Sequence, residues 1–123
     1  PHMVGIGPFI PHRDTPFAYA QAGTLEMTLR LLSIIRLLHP RVLLPATTAL
    51  GTIHPAGREL GVQAGANVVM PNLSPPHVRK QYQLYDNKRC MGDEAAEHKQ
   101  ELADRMTEIG YRIVVGRGDY GKE

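Results

Sequence analysis

Residues 24–52 read TLEMTLRLLSIIRLLHPRVLLPATTALGT, and this stretch decides the fold. Thr24 precedes a long apolar run, where its hydroxyl can accept from the first free helical amides. Glu26, Arg30, Ser33 and Arg36 follow at steps of four, three and three. That spacing makes one narrow polar stripe on a helix over residues 24–38. Leu25, Met27, Leu29, Leu31, Leu32, Ile34, Ile35, Leu37 and Leu38 fill most of the remainder. A helix so apolar is covered by more than one neighbour. His39-Pro40 ends it, because proline cannot continue the helix and biases the residue before it toward extended backbone. Val42, Leu43 and Leu44 then form a short apolar strand, closed by Pro45 and followed by Ala46-Thr47-Thr48-Ala49. Helix, buried strand and polar strand ending are the parts of a β/α repeat.

The same pattern extends both ways. Upstream, residues 3–10 are apolar side chains and glycine, stopped at Pro11, and read as a strand buried on both faces. Downstream, Pro55 opens a weaker helix reaching Ala64, with Gly57 and Gly61 inside it. Residues 66–70 read as a third buried strand. Ser74 with Pro75 can start another helix, on which Val78, Tyr82 and Tyr85 share a face. Asp93 can cap a last helix to Ile109, with Ala95, Leu102, Met106 and Ile109 as its apolar stripe and Gly110 as its stop. Residues 111–115 suit a short terminal strand.

The expected fold class is therefore α/β, with parallel strands joined by right-handed crossovers. Three β/α units are meagre alone, and a (β/α)8 barrel takes about 250 residues. The 123 residues read as the C-terminal three β/α units of such a TIM-type barrel, plus a C-terminal helical extension. In that division residues 1–3 are a cloning remnant (Met3 fits equally as native, since the apolar run passes through it). Residues 4–90 are the partial barrel, and residues 91–123 are the last helix and tail. A half-barrel exposes the face meant for its missing part, so self-association is expected.

Composition narrows the chemistry. The single cysteine, Cys90, excludes an internal disulfide and any site needing several thiolates. The six histidines show no HxxxH pair, and no GxGxxG or Walker A pattern occurs. The formal net charge of +2 comes from scattered Lys and Arg, which argues for solvated surface and against nucleic acid. No apolar run approaches the ~20 residues of a membrane span. The expected location is cytoplasmic.

In β/α barrels the site is built where strands end. Three endings fall in phase: 8–16 (PFIPHRDTP), 45–51 (PATTALG) and 70–75 (MPNLSP). His12 and Asp14 suit either an acid/base pair or a tie within their own turn. Thr47 and Thr48 suit either ligand hydrogen bonds or loop capping. Met70 suits a cavity contact or the core, and Tyr82 and Tyr85 a cavity lid or a packing stripe. A small hydrolase using His12 and Asp14 lacks any nucleophile motif.

The segments VGIGPFIPHRDTP (4–16), LPATTALGT (44–52), GRELGVQAGANVVMPNLSPP (57–76) and QYQLYDNK (81–88) carry a further reading. Together they resemble the C-terminal part of radical S-adenosylmethionine enzymes. Within these they are most similar to the HydE type of FeFe-hydrogenase maturase, with biotin synthase and methylornithine synthase as relatives. The resemblance implies a parent enzyme with a (β/α)8 barrel, a 4Fe-4S cluster held by a CxxxCxxC loop, and S-adenosylmethionine as cofactor. It also implies a small organometallic substrate. By their positions in these motifs Thr47, Thr48, Met70, Tyr82 and Tyr85 resemble cavity residues. Met3, if native, joins them, and His12 and Asp14 lie at the mouth. The CxxxCxxC motif is absent from the sequence, and Cys90 alone stands where some members carry three further cysteines. The chain alone is expected to bind neither cluster nor S-adenosylmethionine and to be inactive.

Overall fold

The computed structural model describes residues 1–71 and 95–121. Helix α1 spans Leu25–Leu38 and begins as expected: Thr24 is extended and its hydroxyl accepts from the Met27 amide at 3.2 Å. Glu26 stands in the first turn and pairs with Arg30 one turn on, both favourable there. The helix ends at His39, whose amide donates to the Ile35 carbonyl at 2.8 Å. The far end of the polar stripe is an anchor. Ser33 Oγ donates to the Ala64 carbonyl at 2.9 Å, and Arg36 Nε donates to the Gly65 carbonyl at 2.7 Å. Gly65 has φ +120°, and a Cβ there would stand 2.8 Å from Arg36 Cβ. Only glycine permits both that backbone and that approach.

After α1 come strand β1 (Pro45–Ala46), helix α2 (Thr48–Ile53), helix α3 (Gly57–Gln63), strand β2 (Val68–Val69) and helix α4 (Ala95–Glu108). β1 and β2 pair in parallel, Pro45 opposite Val68 and Ala46 opposite Val69. Met3 and Leu43 form a parallel bridge, in which Val4 N donates to Leu43 O and Leu43 N to His2 O, both at 3.0 Å. Three extended segments thus run parallel, in the order 2–4, 43–46, 68–69. The middle one switches partner at Leu44. Its amide donates to Asn67 Oδ1 at 2.8 Å, and its carbonyl accepts from the Asn67 and Val68 amides. The chain is α/β with a small parallel sheet, an arrangement compatible with part of an α/β barrel.

Several expectations change. The apolar run 42–44 is extended, but the paired strand falls at Pro45–Ala46, because Leu43 and Leu44 spend their bonds on the first segment and on Asn67. Residues 3–10 bridge to the sheet at Met3, and one of their faces packs inward, not both. Val4 and Ile6 pack against Leu32, Val42, Leu44 and Leu50, whereas Met3, Gly5, Gly7 and Phe9 are exposed. The polar ending after Pro45 is not loop throughout, since Thr48–Ile53 winds into α2 and buries Leu50 completely. Residues 111–115 form no strand. Tyr111, Val114 and Val115 stand exposed, and Ile113 alone of the apolar residues there packs on the core. The helix expected from Ser74, with Tyr82 and Tyr85, lies outside the described residues, as does Cys90.

The core has two parts, both on the helical side of the sheet. Leu32, Val42, Leu44 and Leu50 join α1 and α2 to the sheet. Ala46, Val62, Ala66, Leu102 and Met106 join α3 and α4 to it, with Val69 and Ile109 against them. Gly57 lets α3 start against the end of α2, since a Cβ there would lie 2.0 Å from the Leu50 carbonyl oxygen. α4 stops at Gly110, φ +84°, where Tyr111 N donates to Met106 O at 2.9 Å. No described helix is long and apolar enough to cross a membrane.

Candidate functional site: the open face of the sheet

Side chains alternate along extended backbone, and this sorts the candidates. Val4, Ile6, Leu44, Ala46 and Val69 face the helices. Their neighbours Met3, Gly5, Gly7, Pro45, Thr47, Val68 and Met70 therefore belong to the opposite face. Met3 and Met70 are each about half exposed there, at 49% and 50%. Among the described helices, none packs on that side through the two core clusters. This face thus carries two methionines, two glycines, Val68 and, on the middle segment, a buried Pro45 followed by Thr47.

Thr47 is the N-cap of α2 by backbone, with φ −72° and ψ 158°, yet its side chain makes no capping hydrogen bond. Its Oγ1 is buried and has no hydrogen-bond partner. Of the two sequence readings of Thr47, capping is therefore not what its hydroxyl does. Burying a hydroxyl without a partner costs roughly 1–3 kcal/mol, so the fold gains nothing from it in this state. The hydroxyl instead lies beside Gly7 of the first segment.

Thr48 is engaged locally. Arg58 Nη2 approaches its Oγ1 at 3.5 Å, and its carbonyl accepts from Thr52 Oγ1 at 3.0 Å. The Arg58 stem lies against Gly51, and its Nε is buried without a partner. Arg58 was not a sequence candidate; its place at the start of α3, one turn across from the α2 threonines, is visible only once the two helices meet. Gly7 was missed for the same reason.

His12 and Asp14 tie their own turn. His12 Nδ1 accepts from the Asp14 amide at 3.1 Å, which leaves Nε2 as the ring's donor. The Asp14 carboxylate stands 3.9 Å from the same Nδ1, too far for a hydrogen bond. Thr15 Oγ1 donates to the His12 carbonyl at 2.8 Å and accepts from the Phe17 amide. The structure thus brings Met3, Thr47 and Met70 to one face, keeps Thr48 against α3, and sets His12 and Asp14 in a turn tied by His12 and Thr15.

The described residues contain no group of three or more His, Cys, Asp or Glu able to hold a metal ion. A cluster bound by three thiolates does not fit this chain, whose sequence has one cysteine.

No family model matches the chain. Two characterised proteins are similar to it. The FeFe-hydrogenase maturase subunit HydE of Thermotoga maritima is 53% identical over 89 residues, which cover 72% of this chain and 26% of that protein. The 3-methylornithine synthase of Methanosarcina barkeri is 35% identical over 75 residues, covering 61% of this chain and 21% of that protein. The chain spans about a quarter of the length of these relatives or less. The motifs quoted above and these two identities agree: the chain is HydE-like and belongs to the radical S-adenosylmethionine family.

Proposed function

We propose that the chain is the C-terminal segment of a HydE-type maturase, acting in the cytoplasm on a small organometallic substrate during assembly of the hydrogenase metal centre. Its part is to supply one wall of the substrate cavity, from the open face that carries Met3, Thr47 and Met70. Thr48, Tyr82 and Tyr85 complete the assigned cavity set, and His12 and Asp14 lie at its mouth. The observation that carries this reading is Thr47: a strand-end hydroxyl, buried and unpartnered, that does not cap its helix. The remainder of the parent would bring the 4Fe-4S cluster and S-adenosylmethionine; no chemical step is assigned to this chain alone.

A chimera tests the proposal. The chain replaces the matching 89-residue segment of the Thermotoga HydE, the cluster is reconstituted, and 5′-deoxyadenosine is measured by chromatography. Formation of 5′-deoxyadenosine at a rate near the parent's is expected. A folded chimera with a reducible cluster but no product, beside an active parent, overturns the proposal. The isolated chain, given iron and sulfide, is expected to show no 4Fe-4S signal.

A second reading concerns the chain by itself: self-association, through the exposed stripe of α1 in place of the half-barrel face expected from the sequence. Met27, Leu31, Ile34, Leu37 and Leu38 are 42–80% exposed. Met27, Leu31, Ile34 and Leu38 form one stripe with steps of four, three and four. That spacing reads the same in both directions, so a second copy packed antiparallel sets Met27 against Leu38 and Leu31 against Ile34 about a two-fold axis. Light scattering on the eluting chain is expected to give a dimer, and a monomer at tens of micromolar would overturn it.

A further inference from the structure

The glycine at position 7 has no backbone reason to be there. The described glycines with positive φ are Gly65, Gly110, Gly118 and Gly121, and Gly7 is not among them. Its other neighbour on the same face, Gly5, has nothing within 4 Å of an added Cβ. At Gly7 the situation differs. A Cβ would stand 2.7 Å from Thr47 Oγ1 and 3.5 Å from Thr47 Cβ and Cγ2. The first distance is shorter than any ordinary contact, and the atom it meets is the tip of a short side chain with one torsion. An added methyl is therefore relieved by turning Thr47 about χ1, by roughly 120° to another staggered well. Gly7 itself is exposed, so the rest of the methyl meets solvent.

We propose that Gly7 is a positioning residue: the missing side chain at 7 is what allows Thr47 to hold its hydroxyl beside the first strand segment, off its helix cap. Two facts make this more than tight packing. The capping bond that an N-cap threonine normally makes is absent. No protein group holds Oγ1 where it is. The orientation is thus permitted by space, not by a bond, and the space is at Gly7. The inference rests on the reading of Thr47 as a cavity residue, and it names the neighbour that sets the hydroxyl's direction.

The test uses the whole chain and its Gly7→Ala variant. Three-bond couplings from Thr47 Cγ2 to the backbone nitrogen and carbonyl carbon report χ1. G7A is expected to stay folded, with Tm within about 5 °C of the parent, and to move Thr47 to a different χ1 well. A folded G7A with unchanged Thr47 couplings overturns the proposal. Should G7A not fold, the G7A/T47A double variant decides: removing Oγ1 restores folding if the contact is the cause, and a double variant that stays unfolded overturns it. Placing G7A in the HydE chimera separates the two layers. A rotated Thr47 with unaltered KM and kcat supports Gly7 as the positioning residue while removing Thr47 from the cavity. A rotated Thr47 with KM raised several-fold supports both.

Discussion

The ion pair between Glu59 and Arg105 holds the last helix to the rest of the chain, and its removal has a calculable cost. Glu59 lies in α3 and is 6% exposed, a burial unusual for a carboxylate. Its Oε1 meets Arg105 Nε of α4. Neither carboxylate oxygen has a well-aligned hydrogen-bond donor, so the guanidinium charge is its compensation. Arg105 also donates to the Pro55 carbonyl, and Glu101 stands 3.9 Å from its Nη1. Replacing Arg105 by Met keeps much of the stem and removes the charge. Breaking a buried pair from one side costs about 3–5 kcal/mol. The Arg105 side chain is 36% exposed, and solvent screening there reduces the cost to about 2–3 kcal/mol. For a domain of this size that is a Tm loss of roughly 8–12 °C. The double variant E59M/R105M removes both charges and should recover most of the loss, because a buried pair exchanged for apolar groups is close to neutral. Thermal and urea unfolding followed by circular dichroism measures both. An R105M cost below about 0.5 kcal/mol, the range of an ordinary surface change, would refute the reasoning. So would a double variant no more stable than the single one.

Other outcomes follow from the same contacts. Thr47→Val should leave stability unchanged or raise it, since it replaces an unpartnered buried hydroxyl with a methyl of like shape; a loss above about 1 kcal/mol in urea unfolding would mean the hydroxyl has a structural partner. Gly57→Ala should cost about 3 kcal/mol or more, because the Leu50 carbonyl that its Cβ meets is backbone and cannot turn aside; a near-normal Tm would refute the approach of α2 and α3. Leu31→Glu should convert the expected dimer to a monomer in light scattering without lowering helicity, as Leu31 lies on the exposed face of α1.

Much of α1 was legible in the sequence. Thr24 as the cap, the polar stripe and the stop at His39-Pro40 are local features, and each is realised within a few residues of itself. The expectation that more than one neighbour covers α1 is not met among the described residues: one side packs on the sheet, and the stripe from Met27 to Leu38 stands exposed, because periodicity counts apolar faces without naming what covers them. The stop at Gly110 and the apolar stripe of Leu102, Met106 and Ile109 were equally local. The helix α2 was not legible, because its six residues have no apolar period and form against the N-terminus of α3 through Gly57.

Strand lengths and faces were beyond local reading for a physical reason. An apolar run states that a segment is buried, whereas a strand exists only where a second segment supplies hydrogen bonds. Residues 111–115 have the composition of a strand but no paired segment among the described residues, and they are not one. Leu44 reads like its neighbours, yet Asn67 takes its amide. The candidate site divides in the same way. Residue types and motifs placed Thr47, Thr48 and Met70 at strand ends and marked the family, because those properties are carried by chain order alone. That Thr47 withholds its hydroxyl from the cap, that Arg58 reaches Thr48, and that Gly7 leaves the room are relations between segments far apart in sequence. Only the packing of parallel segments brings residue 7 against 47, and only the meeting of α2 and α3 brings residue 58 against 48, so only the tertiary structure could decide them.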